Sequence, residues 1–336
     1  MAYDVKVHID LTKPIGTVGF GVPLILLENA VKAVDYIEVS TLADIVTAGF
    51  EKTSVVYKAA NLLFMQDHAP KQIALYATTE AATDALADDN LIGQGWRQLI
   101  VLSEDSENKT AVADISALVE TLDGKMYFAG LDTTDNTSLT TTGLRRTILF
   151  YCDATEAQPV PVAALVGEIA GRAAGSYTYK NLTLKGIEPQ KLSEAQIQAI
   201  HAKGGLTFVK KAGDNVTSEG KLAGGEYIDI IDCEDYIIQQ LAYQTQKLLN
   251  TADKVPYDDN GIAMLESVAI NVLQGAFNNG MIAVKEDGTP NYSVTYAKRE
   301  DTSEEDRSTR RYLGGTFSFA LAGAVHEVEI TGTIAA

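Results

Sequence analysis

The 336-residue chain is poor in cysteine, with only Cys152 and Cys233. Two cysteines cannot frame a disulfide scaffold, and so distant a pair lacks the local ligand spacing of a zinc site. The expectation is two buried structural thiols in a protein made in a reducing compartment. Histidine is as scarce. His8, His68, His201 and His326 are the full set, and no two lie three to five residues apart, so no helix presents a metal-binding pair. Positive charge is short as well: 27 Lys and Arg stand against 45 Asp and Glu, a formal net charge of −18. Such a surface repels duplex phosphates. No aromatic–basic stripe offers a single strand a track, so direct contact with nucleic acid is not expected. No run reaches the roughly 18 apolar residues of a membrane span. Acids also stand near the N-terminus, where a signal peptide has a basic region and then an apolar core. Neither export signal nor membrane insertion is expected.

Motifs for chemistry fail one by one. A phosphate-binding Walker loop needs Gly-Lys followed by Ser or Thr, but Met126 follows Gly124-Lys125 and Leu222 follows Gly220-Lys221. Gly19 and Gly21 would need a third glycine where Leu24 stands to make a dinucleotide fingerprint. Gly16, Gly19 and Gly21 read instead as a mobile junction. The stretch Tyr257–Gly261 glances at a calcium loop, yet aligning Gly261 puts Pro256 and Ser267 at the two carboxylate positions. A Ser–His–Asp triad assembles in space and so escapes a reading of sequence, but there is no Gly-x-Ser-x-Gly elbow. No catalytic, cofactor-binding or metal-binding residue is assigned, and no cofactor is expected. Trp96 reads as core packing.

What is present is pattern. Val5, Val7, Ile9 and Leu11 alternate with Lys6, His8 and Asp10, which is strand spacing. Pro14 and Gly16 then break it. Residues 20–185 read as helix–strand repeats: helices over 52–65, 80–91, 110–122 and 161–173, and short apolar strands over 72–77, 98–102, 126–129 and 148–151. Strands apolar on both faces and alternating with helices predict a largely parallel sheet covered on both sides. From 186 the texture changes. Ser193 and Gln196 form a capping-box pattern. A hairpin is predicted from Leu206–Val209 to Tyr227–Ile231, then long helices over 234–249 and 261–278. Residues 298–311 hold ten charges among fourteen residues, five of each sign, and read as a solvated segment or a contact surface. Alternation returns at Phe317, Phe319, Val325, Val328, Ile330 and Ile334, so both chain ends are strand-like.

The order of motifs in the C-terminal half carries a resemblance. Ser176–Ile187 precedes the capped helix; Gly204-Gly205-Leu206-Thr207 and Gly225–Asp229 follow it. The end reads Asp306-Arg307, Arg310-Arg311, Gly314–Phe317, Leu321–His326 and Val328–Thr333. In this the chain resembles the tail sheath protein of contractile phage tails and phage-tail-like bacteriocins, most clearly over 160–336.

The resemblance implies a structural subunit rather than an enzyme. It implies six-copy rings stacked around an inner tail tube protein, with baseplate and tail terminator proteins at the ends. It also implies a virion tail or bacteriocin particle assembled in the host cytoplasm, whose contraction drives the tube through a target envelope. The fold class implied is α/β and α+β: an N-terminal arm over 1–19, a helix-covered mixed sheet over 20–185, a C-terminal α+β subdomain over 186–313, and a strand arm over 314–336. Val5, Val7, Ile9, Leu11, Phe317, Phe319, Val325, Val328 and Ile330 are the implied intersubunit strand residues. Gly16, Gly19, Gly21, Gly314 and Gly315 are candidate hinges, and Arg307, Arg310 and Arg311 candidate contact charges. The sheath of a secretion system and a soluble α/β enzyme are the alternative readings.

Overall fold

The structure, a computed structural model, describes residues 21–104, 108–135 and 140–326. In chain order the first half runs β1 (Val22–Glu28), β2 (Val34–Val39), α1 (Leu42–Thr47), α2 (Val55–Phe64), β3 (Ile73–Ala77), α3 (Ala82–Leu86), α4 (Asp89–Ile92), β4 (Trp96–Ser103), α5 (Val112–Val119), β5 (Met126–Leu131) and β6 (Thr147–Tyr151). The second runs α6 (Val162–Ala170), α7 (Glu194–Ala202), β7 (Gly205–Lys211), β8 (Asp214–Thr217), α8 (Ile228–Thr251), α9 (Asp259–Asn278), β9 (Tyr292–Tyr296), α10 (Glu304–Ser308) and β10 (Gly315–Phe319).

The first eight strands form one sheet in the order β2-β3-β1-β4-β5-β6-β7-β8. Its six middle strands pair in parallel, and β2 and β8 close the edges antiparallel. The predicted helix-covered sheet is therefore present, and it is mixed. Alternation assigns the faces. Ile25 and Leu27 point into a core with α2 and α6, while Leu24 and Leu26 point into another with α3, α5 and α7. The first face is tight because α6 carries Gly167: a Cβ there would lie 2.4 Å from the Leu63 carbonyl oxygen of α2.

Local chemistry sets the helix starts. Ser54 caps α2 by accepting the Tyr57 amide, Thr41 and Asp44 form a capping box on α1, and Ser193 with Gln196 form the predicted one on α7. The helix predicted over 80–91 is split, because Asp88 turns its side chain to the Asn90 amide and starts α4 anew. The predicted hairpin is not formed. β7 turns directly into β8, and Tyr227 is the N-cap of α8. Residues 186–217 thus complete the large sheet instead of opening a second unit.

A separate core gathers further on, where Ile237 and Leu241 of α8 meet Leu273 and Ala276 of α9, with Phe317 and Phe319 against them. Here β9 and β10 make a two-stranded antiparallel sheet, Phe317 opposite Val294 and Phe319 opposite Tyr292.

Candidate functional site

Two regions could carry function: the joint between the large sheet and α8, and the small sheet with the segment it brackets. The joint is built from charge. Asp232 and Asp235 lie three apart on the first turns of α8, so both face the same way. Arg97, the second residue of β4, is buried and splits its guanidinium between them: one nitrogen is 2.5 Å from Asp232 Oδ1, the other 2.7 Å from Asp235 Oδ2. The Gly124 carbonyl also accepts from Arg97 at 2.9 Å. Arg146, just before β6, closes on Asp235 with both terminal nitrogens. Tyr179 donates to Asp232 Oδ2 at 2.7 Å.

Burial alone would push the Asp235 carboxyl up, but Arg97 and Arg146 hold it below the ordinary carboxylate range. Burial and then the Asp232 charge push the Tyr179 hydroxyl well up, so it stays a donor. Buried ion pairs of this kind are weak net stabilisers when complete and costly when one partner is removed. They fix orientation, and here they fix α8 to the sheet rim. Beside them Lys125 is buried, donating to the Gln94 and Trp96 carbonyls at 2.8 and 2.6 Å. Burial, with Arg97 adding repulsion, pulls its ammonium down to about 7.

The small sheet packs one face on the C-terminal core. Phe317 and Phe319 stack with ring centres 6.3 Å apart, and Ser293, Thr295, Thr316 and Ser318 face outward. These two phenylalanines, expected in an arm, belong to a strand paired within the chain. Half-burying both rings on one phase of β10 favours packing over extension. Among the described residues no third strand joins this sheet.

Between β9 and β10 the charged segment is pinned at its base. Ala297 N–H donates to Gly314 O at 3.0 Å, Tyr312 donates to the Ala297 carbonyl at 2.8 Å, and Tyr257 to the Arg311 carbonyl at 3.0 Å. Tyr296 and Tyr312 stack at 5.7 Å. Arg307 turns inward and donates to the Arg299 and Thr302 carbonyls, whereas Arg310 and Arg311 are exposed.

The described hinge candidates are close-packed. Gly21 has φ +94° and a Cβ there would lie 2.7 Å from Arg97 Cβ; one on Gly314 would lie 2.7 Å from Ala297 Cβ, and one on Gly315 2.8 Å from the Tyr296 ring. All three are short of room for a side chain, and Gly21 also needs glycine for its positive φ. Val325 is exposed, without an assigned strand. Val5, Val7, Ile9, Leu11, Gly16, Gly19, Val328 and Ile330 lie outside the described residues. Sequence reasoning missed the Arg97–Asp232–Asp235–Arg146 joint; three aspartates at 229, 232 and 235 were the available signal.

His201 Nε2 lies 2.9 Å from Ser218 Oγ, but that oxygen also accepts the Thr207 amide at 3.0 Å and Ser218 is buried. A nucleophile needs an open approach. Strand order reverses beside β1, where open α/β sheets place ligands. There the buried Glu28 is occupied by the Ala82 and Thr110 amides, each at 2.8 Å. Both cysteines are buried and free, and burial pushes each thiol up to about 12. Among the described residues no cluster could hold a metal ion, and no helix is long and apolar enough to cross a membrane.

Known proteins share the fold that holds both regions. Residues 228–334 match the family described as E217 tail sheath protein gp31-like, C-terminal domain, and that match begins at the first residue of α8. The whole chain superposes on a chain of the contracted helical sheath of the anti-feeding prophage, with TM-score 0.71, 15% identity and 98% of each chain covered. The fold is that of a contractile sheath protein. A chain of the contracted sheath complex of PVC, an extracellular contractile injection system, is similar over 99% of this chain and 98% of its own, with TM-score 0.70 and 13% identity. The sheath tail protein of Desulfitobacterium hafniense matches over 94% and 99%, with TM-score 0.57 and 12% identity. No curated protein sequence matches. Within this fold the joint ties the large sheet to α8, and the C-terminal unit that begins at α8 carries the small sheet.

Proposed function

We propose that this chain is the subunit of a contractile sheath whose copies are linked by strands added to one another's small sheets. The observation that carries the reading is the β9–β10 sheet. Two strands alone are marginal in water, and this pair is held by a helical core on one face. An unpaired strand edge is a template for another chain. Backbone hydrogen bonds made there give affinity with little demand on side chains. The alternating residues 5–11 and 328–334 are the strands offered, and each could span about 3.3 Å per residue to an adjoining copy.

In this reading the copies stack as six-membered rings on an inner tube within a phage-tail-like particle. Baseplate and terminator proteins bound the stack, and assembly takes place in the host cytoplasm. Arg310 and Arg311 meet a neighbouring surface. The molecule acts mechanically rather than as an enzyme. Contraction draws on energy stored in an assembly with two packings, so no fuel is hydrolysed.

The test is electron microscopy of the purified chain, alone and with the inner tube protein, beside two truncations. Removing residues 1–12 or 327–336 spares every described element. Each truncated chain should keep wild-type circular dichroism and melting while forming no tubes, where the full chain forms hollow striated ones. A cut from 316 is unsuitable because it removes β10 from the core. A full chain that never coats the tube protein sinks the proposal.

A further inference from the structure

His326 ties the segment leaving the C-terminal unit back to the rest of the chain. The last backbone hydrogen bond on the way out of the C-terminal unit runs from the Ala322 amide to the Met281 carbonyl at 2.9 Å. Residues 323–326 make none among the described residues. Gly323 turns the chain at φ +61°, and Val325 is 81% exposed. Then the His326 ring enters a socket formed by Thr178, Glu219, Gly220 and Tyr227, with its side chain 8% exposed.

Nε2 lies 2.8 Å from Thr178 Oγ1, Nδ1 faces Glu219 Oε1 at 3.5 Å, and the ring meets Tyr227 edge-on at 4.8 Å. Gly220 makes the room: a Cβ there would come within 3.3 Å of the ring carbon Cε1. The socket does not depend on the ring. Glu219 takes the Gly220 amide at 2.9 Å and sits 4.0 Å from Lys180 Nζ, and Lys221 covers Tyr227 at 5.2 Å.

We propose that His326 is a releasable latch, which stores slack in the segment leading to the C-terminal strand. One side chain holds the segment, so one side chain can let it go. Release frees residues 323–326, whose fully extended length is roughly 13 Å at about 3.3 Å per residue. A sheath whose copies change spacing needs a tether that lengthens without breaking its strand pairing, and the latch supplies that length. The inference rests on the sheath reading.

The test has two readouts. In the full chain, spin labels at Lys210→Cys, on the exposed end of β7, and at Val325→Cys report the latch. A single narrow distance is expected for the wild-type background. His326→Ala should broaden it and move it outward, and Thr178→Val, which keeps the ring but removes its hydrogen-bond partner, should do so partially. An unchanged narrow distance in His326→Ala overturns the latch.

In assembled tubes, Thr178→Cys/His326→Cys joined by a short bis-maleimide holds the loop closed. The joined protein should form tubes of one axial repeat, while the unjoined variant passes to a second, shorter repeat. Equal passage by both overturns the slack store and leaves the sheath reading standing. Failure of every form to polymerise, wild type included, overturns both.

Discussion

Lys125 shows what one buried charge does to the whole stability curve. Its ammonium ionises near 7 in the folded chain, against 10.5 when free. Between those values the unfolded chain binds the extra proton, so stability rises with pH across that window. The rise should be about 2 kcal/mol between pH 7 and 9. Above pH 9 the two buried thiols oppose it. They ionise from the unfolded chain near 9 but only near 12 when folded, so stability then falls. Urea denaturation from pH 7 to 9 should show the rise in wild type, and Lys125→Met should lack it. An equal slope in both would show that Lys125 keeps its proton. None of this was legible in sequence, where Lys125 appeared only as the lysine of a failed Walker motif. The glycines misled in the same way. Spacing marks where glycine stands, but a hinge and a close approach use the same residue. Only the neighbours of Gly21, Gly314 and Gly315 tell which it is.

Among the elements, α8 is where sequence and structure diverge most instructively. Its first turn reads Ile228-Asp-Ile-Ile231, which alternates well enough to suggest a strand, and the three aspartates that follow the helical period were passed over. β1 was missed for the opposite reason. Val22–Glu28 is buried almost throughout, so it carries no alternation to read. The short parallel strands β3 to β6 were legible because each is a short apolar run set off by helices: β3 and β4 lie between two, and α5 and α6 bracket the β5–β6 pair.

The aspartates make a prediction about how α8 is held. Asp235→Asn leaves Arg146 without its carboxylate and Arg97 with Asp232 alone, which in a buried site should cost about 3–5 kcal/mol. Hydrogen exchange should quicken over 228–240 before it does in the large sheet. Because the Asp235 carboxyl ionises below its free value, its contribution is present at neutral pH and is lost on acidification through the folded pKa. Wild type and Asp235→Asn should therefore converge in stability at low pH. A constant gap down to acid pH would assign the effect to packing instead.

Taken whole, the molecule brings a charge of −18 per copy into any polymer it forms. Stacked copies repel, and salt shortens the reach of that repulsion to about 10 Å at 0.1 M. Backbone hydrogen bonds between strands are nearly indifferent to salt, so tubes held by added strands should assemble more readily as salt rises. The concentration at which tubes first pellet should fall several-fold between 0.05 and 0.5 M sodium chloride. Charge pairing through the 298–311 segment predicts the reverse, because screening weakens the contacts that hold the copies. Arg310→Glu with Arg311→Glu separates the two. Each substitution changes the charge by −2, taking the chain from −18 to −22, on side chains exposed at the surface. If strands hold the sheath, the variant should need more salt than wild type and then reach the same tubes. If those arginines carry the contact, no salt concentration restores them.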